Sequence, residues 1–154
     1  MSRDFSEQID NMRQPVAKIS WDEATRYCKL LNKELPSRMQ WEKAARGTSG
    51  YRYPWGNNWP NCRYTNFSGD PGSGCGTGST AIVGSRSGDI SPFGLYDMGG
   101  NVKEFTKDRI GDKIFVKGGG YTSEFQDIRL SLNQAFDISY KASNLGFRCV
   151  KNVN

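Results

Sequence analysis

From Gly47 to Gly120 the sequence carries no helical periodicity and is dominated by Gly, Asn, Asp, Ser and Pro. A stretch of that length is uncommon in a compact domain unless something other than regular secondary structure holds it. Composition points the same way. Gly accounts for 18 of 154 residues, aromatics for 12% and hydrophobic residues for only 36%, which describes a loop-rich chain packed around aromatic rings and not a helical bundle. The length is that of one domain, large enough to bury a core without needing metals or disulfides. No internal repeat or linker divides it.

Regular elements are predicted mainly at the margins of this stretch. Residues 1–14 read as a polar lead with a helical turn or two, ended by Pro15. Val16–Ile19 alternates like a short strand. Ser20 and Glu23 have the spacing of a capping box, and Trp21, Ala24, Tyr27, Cys28 and Leu31 follow at helical spacing, so a helix is expected to about Asn32. Ser37 and Gln40 form a second box. Met39, Trp41, Ala44 and Ala45 are its expected buried face, and Gly47 its stop. Further short strands are expected at Ala81–Val83, Lys113–Lys117 and Gly146–Lys151.

Several chemistries are excluded by what is missing. There is no histidine, which removes His-based triads, His-ligated zinc or iron and the usual general base near neutral pH. Cys28, Cys62, Cys75 and Cys149 form no CxxC pair, so a zinc ribbon or thioredoxin motif is not expected. Four cysteines allow three pairings, and spacing does not choose among them. The net charge is +5, but the basic residues are scattered and form no block, so nucleic acid is not an expected partner. No apolar run is long enough to span a membrane. Residues 1–14 lack the apolar centre of a signal peptide.

A series of ordered motifs narrows the reading. These are Pro15-Val16 with Ile19-Ser20-Trp21-Asp22-Glu23-Ala24 and Tyr27-Cys28; Leu35-Pro36-Ser37, Trp41-Glu42 and Ala44-Ala45-Arg46-Gly47; Tyr53-Pro54-Trp55-Gly56; Val83-Gly84-Ser85; Phe93-Gly94-Leu95-Tyr96-Asp97-Met98-Gly99-Gly100-Asn101-Val102 with Glu104; Lys117-Gly118-Gly119; and Ser143-Asn144-Leu145-Gly146-Phe147-Arg148-Cys149. Over about residues 15–151 the chain resembles the formylglycine-generating-enzyme/sulfatase-modifying-factor family, a variant of the C-type lectin fold. The fold class this implies is α+β: irregular and loop-rich, C-type-lectin-like, with two helices and short antiparallel strands. Residues 15–154 would form that domain. Family domains carry several dozen further residues before the Pro-Val segment, so the chain is expected to be either a trimmed version of the fold or a fragment whose exposed sheet edge a partner covers.

The resemblance also implies a loss. Enzymes of this family bind copper through two cysteines five positions apart, just after the Gly-Gly turn, and oxidise a substrate cysteine to formylglycine. Soft thiolates are what hold Cu(I). Here Ser123 and Ile128 fall at those positions, and no cysteine lies between Cys75 and Cys149. Copper is therefore not expected as a cofactor, whereas calcium is. The resemblance implies a calcium loop formed by the Asp97 and Glu104 carboxylates with the Gly100 and Val102 carbonyls, a chemically sensible set of hard oxygens. Lys103 beside it should project to solvent. A second calcium site would use Asn66 and Phe67, with Asp70 as its acid.

Cys28 and Cys149 match a family disulfide, and Cys28 shares the apolar helix stripe with Ala24 while Cys149 follows Phe147 in the last strand, so the two should be neighbours. Cys62 and Cys75 would be left to pair. If these bonds form, the compartment is extracytoplasmic. In this fold the stretch 121–144 carries the ligand-facing surface. Tyr121, Phe125, Asn133, Phe136 and Tyr140 are its expected contact residues. The leading functional reading is a non-catalytic binding module for a protein, peptide or glycan. The alternative is an enzyme with cysteine-independent acid/base chemistry, which a carboxylate and a phenol sharing a pocket near Tyr121 would favour.

Overall fold

The computed structural model describes residues 12–152, so the expectation for Met1–Asn11 lies outside the described residues. Two helices form where the capping boxes place them. Helix α1 spans Trp21–Leu30; the Ser20 hydroxyl accepts from the Glu23 amide at 3.2 Å and the Glu23 carboxylate accepts from the Ser20 amide at 2.6 Å. Helix α2 spans Arg38–Arg46, with the same reciprocal pair between Ser37 and Gln40 at 3.1 and 2.8 Å. Each box satisfies two amide groups that a helix start leaves without partners. Gly47, at φ +65°, takes the left-handed turn that stops α2. Among the described residues no helix is long and apolar enough to cross a membrane.

Four strands build one mixed sheet in the order β3-β2-β1-β4. They are β1 Lys103–Ile110, β2 Lys113–Lys117, β3 Gln134–Asp137 and β4 Leu145–Gly146. The first three pair antiparallel, whereas β4 runs parallel to β1, so the sheet is not purely antiparallel as expected. The chain reaches β4 from β3 by a crossover and not by a hairpin, which is what a parallel pair requires. Of the expected strands, Lys113–Lys117 is present as read. The last is limited to Leu145–Gly146, with Val150 bridging back to Glu34. Val16–Ile19 and Ala81–Val83 are not strands. Lys18 turns at φ 61° and donates to the Ala142 carbonyl; the Ala81 backbone pairs with a side chain instead of a strand.

The main core lies between α1 and the sheet, from Ala24, Cys28, Leu35, Phe105, Ile114, Val116 and Leu145. Trp41, Ala45, Met98 and Leu130 form a second cluster under α2, and Tyr53, Phe67 and Ile128 a third under the long loop. Met39, expected on the buried face of α2, is 83% exposed; with Trp41 and Ala45 turned inward it falls on the outer side of the helix. Leu31 is also exposed, because the helix stops at Leu30 and Leu31 is its cap.

Residues 47–102 contain one short 3₁₀ turn, Ser73–Gly76, and otherwise hang on specific pins. The Asn101 amide pairs with the Ala81 backbone in both directions, at 2.8 and 3.0 Å. Arg86 donates to the Cys62 carbonyl at 3.0 Å. Tyr53, Trp55 and Tyr64 stack in a ladder with centroids 5.1 Å apart. Two disulfides complete the frame, Cys28–Cys149 with Cα atoms 5.5 Å apart and Cys62–Cys75 with Cα atoms 5.7 Å apart. In the chain-entropy model the longer loop stabilises the fold by about 5 kcal/mol and the shorter by about 3 kcal/mol.

Candidate functional site

Glu104 is the second residue of β1 and is buried together with the next two residues, Phe105 and Thr106. One of its oxygens accepts from the Trp41 indole at 2.6 Å and from Arg148 Nε at 2.6 Å; the other accepts from Arg148 Nη2 at 2.6 Å. Arg148 also donates to the Tyr96 carbonyl at 2.9 Å. Burial works against the Arg148 cation, but the charge and hydrogen bonds of Glu104, together with the charges of Asp97 and Asp89, hold the guanidinium pKa above its ordinary value. On the neighbouring strand, across from Glu104, sits Lys117. Its ammonium is buried and meets Glu42 at 2.9 Å. Burial pulls the Lys117 pKa down, with Glu42 partly restoring it.

The Glu104–Arg148 pair of this centre borders a cleft of about 580 Å³. Asp97, Val102, Glu104 and Arg148 line it, with Val16, Tyr27, Val83, Tyr96 and Phe147 as apolar walls. Asp97 Oδ2 accepts from the Gly84 amide at 2.6 Å. Burial raises the Asp97 pKa, and nearby Glu104 adds to the rise. Behind it Asp89 is fully buried, accepting from the Thr65 hydroxyl and the Gly99 amide; burial pushes its pKa up to about 7.

For the expected calcium loop, three of its four residues therefore line one cleft. Among the described residues no donor reaches the carbonyls of Gly100 or Val102, while Glu104 is already engaged by Arg148 and Trp41. For the second expected site, Asn66 Oδ1 is buried without a partner. The Phe67 carbonyl accepts from the Cys75 amide at 3.0 Å, and Asp70 lies on an exposed surface beside Trp59 and Phe125. Among the described residues no group of three or more His, Cys, Asp or Glu side chains is gathered to hold a metal. Lys103 does not project to solvent as expected. It is half-buried and donates to Gln134 at 2.6 Å, with its ammonium over the Phe136 ring.

The two positions that resemblance assigns to copper-binding thiols are both buried. The Ser123 hydroxyl accepts from the Gly120 amide at 3.0 Å and closes the turn. Ile128 is fully buried against Tyr53 and Phe67. Gly119 packs so closely here that a Cβ on it would collide with the Ile128 side chain and stand 2.8 Å from the Gly99 carbonyl. No cysteine is free.

The five expected contact residues do not converge on one spot. Tyr121 bonds Ser143 at 2.8 Å beside a shallow cleft of about 370 Å³. Phe125 leans on Trp59, centroids 4.9 Å apart. Phe136 stacks on Tyr140 at 4.5 Å on the outer strand β3. Asn133 accepts from the buried Lys117 ammonium at 3.4 Å. Three residues were missed. Trp59, a large ring among turn formers in Asn57-Asn58-Trp59-Pro60, could have been flagged from the sequence. Arg148 stands within the Gly146-Phe147-Arg148-Cys149 motif, but nothing local marks its partner, and Asp89 carries no local signal.

Comparison with known proteins follows from this geometry. A family model described as "Sulfatase-modifying factor enzyme 1-like domain" matches residues 2–153. Among curated relatives, a serine/threonine-protein kinase pkn1 of Chlamydia pneumoniae is 29% identical over 92% of this chain and 25% of its own length. A formylglycine-generating enzyme of Mus musculus is 31% identical over 88% of this chain and 43% of its own. An inactive C-alpha-formylglycine-generating enzyme 2 of Bos taurus is 31% identical over 88% of this chain and 49% of its own. The chain thus spans half or less of these relatives. In fold it is similar to PvdO from Pseudomonas aeruginosa, with a TM-score of 0.76 at 21% identity over 88% of this chain and 60% of that one.

The buried centre makes an expected outcome concrete. Glu104→Ala leaves the Arg148 guanidinium and the Trp41 indole without their acceptor and should cost about 3–5 kcal/mol in urea unfolding. Glu104→Gln keeps an acceptor and should cost less. Asp137→Ala breaks the exposed Lys113–Asp137 pair and should cost no more than about 1 kcal/mol.

Proposed function

The chain belongs to the sulfatase-modifying factor family, and from that premise we propose that it is a non-catalytic binding module that presents the loop surface around residues 121–144 to a protein, peptide or glycan. The observation that carries this reading is Ile128, a fully buried hydrocarbon side chain at a position where the family's chemistry needs a thiolate. A serine is a poor Cu(I) ligand and an isoleucine is none. The four cysteines that do exist are spent on disulfides. A bovine relative carrying the word "inactive" in its name, and a kinase of which the matched region is a quarter, lend support to a role apart from oxidation.

The enzyme alternative finds less support. The cleft beside Tyr121 is lined by Pro15, Ala17, Lys18, Gly78, Ser79, Thr80 and Ser143. It holds no carboxylate to act with the phenol as an acid/base pair.

A structural calcium ion is part of the proposal. Two carbonyls without donors, at Gly100 and Val102, and the Asp97 carboxylate are a hard-oxygen set of the kind calcium takes. Bound there, the ion would supply a cross-link within the loop, sharing Glu104 with Arg148, and would neutralise the carboxylates that now crowd one another.

Two experiments test these readings. In titration of Cu(I) against a chromophoric chelator, the oxidised protein should take up no stoichiometric copper; uptake of one equivalent would overturn the non-catalytic reading. For calcium, a ligand bound only to the folded state adds about 2.7 kcal/mol at a hundredfold excess over its dissociation constant. The melting temperature should rise with calcium over chelator, and the rise should vanish in Asp97→Ala. Coincident melting curves would remove the ion, and a rise that survives Asp97→Ala would place it elsewhere.

A further inference from the structure

Trp59 is 63% exposed and Phe125 44% exposed, yet neither ring is loose. They come from loops far apart in sequence and meet with centroids 4.9 Å apart and planes at 41°. The Trp59 loop is fixed from both sides. The Trp55 indole donates to the Asn58 carbonyl at 3.1 Å, and the Asn57 side chain accepts from the Arg52 amide at 3.0 Å. The Cys62–Cys75 bond follows directly. A rigid aromatic pair held in water has already met the ordering cost that a ligand would otherwise impose on it.

Beside the pair lies a cleft of about 380 Å³, within the range of roughly 300–1,000 Å³ typical of small-molecule sites. Asn61, Ser68 and Asp70 line it. Phe67 closes its floor, and Gly69 is obligatory there because a Cβ would stand 2.7 Å from the Phe67 ring. Among the described residues, the Asp70 carboxylate, the Ser68 hydroxyl, the Asn61 amide nitrogen and the Trp59 indole N–H have no protein partner: Asn61 uses only its oxygen, on the Arg63 amide. Residues with free donors and residues with free acceptors therefore line the same cleft as the aromatic pair.

That mixture selects a ligand class. An ammonium group would use only acceptors, and a phosphate or carboxylate only donors. A hydroxyl both gives and takes a hydrogen bond, and a ring carrying several hydroxyls on an apolar body is a pyranose. A peptide adding as a strand would need a free sheet edge, and this cleft is walled by loops and a disulfide. A proline-rich peptide could dock on the rings without one, but its prolines carry no N–H and would leave the Asp70 carboxylate unused. We propose that the cleft binds a pyranose ring, stacked on Trp59 and Phe125, with its hydroxyls held by Asp70, Asn61 and Ser68. This deepens the binding-module reading and rests on it for the absence of competing chemistry. It uses none of Asp97, Gly100, Val102 and Glu104, and it takes Asp70, the acid expected for the second calcium site, as a sugar ligand instead.

The test is a titration of ¹⁵N-labelled protein with a defined panel: methyl α-mannopyranoside, methyl β-glucopyranoside, N-acetylglucosamine and the β1,4-linked trisaccharides of the last two sugars. At least one should give saturable shifts confined to the Trp59 indole and the amides of residues 61, 68–70 and 125. Affinity should fall at least tenfold in Trp59→Ala and in Asp70→Asn, both exposed positions whose spectra should otherwise match the wild type. Binding should persist in a chelator, since no metal takes part. No saturable shift with any member, an unchanged affinity in Trp59→Ala, or loss of binding in chelator would each overturn the proposal. Tighter binding of tetramethylammonium than of any sugar would also overturn it, in favour of a cation site. Failure here with no Cu(I) uptake leaves the non-catalytic reading intact, whereas Cu(I) uptake sinks that reading whatever the sugars do.

Discussion

The carboxylate of Glu104 is the point on which the architecture turns. It gathers the indole of α2, the first residues of β1 and the guanidinium of the C-terminal segment into one buried knot. A second pair, the buried Lys117 with the partly exposed Glu42, lies beside Trp41, whose ring centroid is 5.8 Å from the Lys117 ammonium. Pairs of this kind contribute little net stability, since desolvation cancels much of the attraction. Their effect is to make alternative arrangements expensive. Any shift of α2 or of the C-terminal strand that broke the knot would leave a charge buried without a partner.

That rigidity lets the rest of the chain do without regular structure. The long loop is held by the Asn101–Ala81 pair, by Asp89 with Thr65 and Gly99, by the Tyr53–Trp55–Tyr64 ladder and by the Cys62–Cys75 bond. Every pin uses at least one side chain, so the loop surface is fixed without a ladder of its own. A scaffold of this kind suits recognition. Ile128 belongs to this packed loop core, with Tyr53 and Phe67, and Gly119 lies close against it.

What could be read in the sequence was what is written in short range. Both capping boxes are local, and both helices start where Ser20 and Ser37 place them. Cys28 lay on a helical stripe, and its meeting with Cys149 followed. Strand β2 was legible as a short candidate strand at Lys113–Lys117. Strand β1 was not, because Glu104, Phe105 and Thr106 are buried in succession and no period-2 pattern survives. The role of Arg148 and the burial of Lys103 depend on partners more than thirty residues away, and the parallel pairing of β4 depends on a crossover that no local signal marks. The contact residues expected on one surface are spread over separate patches for the same reason. An aromatic side chain's type says that it will be buried or recognised, but only the assembled loops say which. Trp59 illustrates this, since its value as a platform comes from Phe125, which no motif connects to it.

The central claim is that this chain keeps the family's scaffold without its oxidation. It is tested most directly by incubating the purified protein with copper, oxygen and a cysteine peptide carrying the sulfatase recognition motif, and measuring aldehyde by mass and by hydrazide labelling. With Ser123 and Ile128 at the two thiol positions and all four cysteines bonded, no aldehyde above the protein-free control is expected. Catalytic formation of formylglycine by this chain would contradict it.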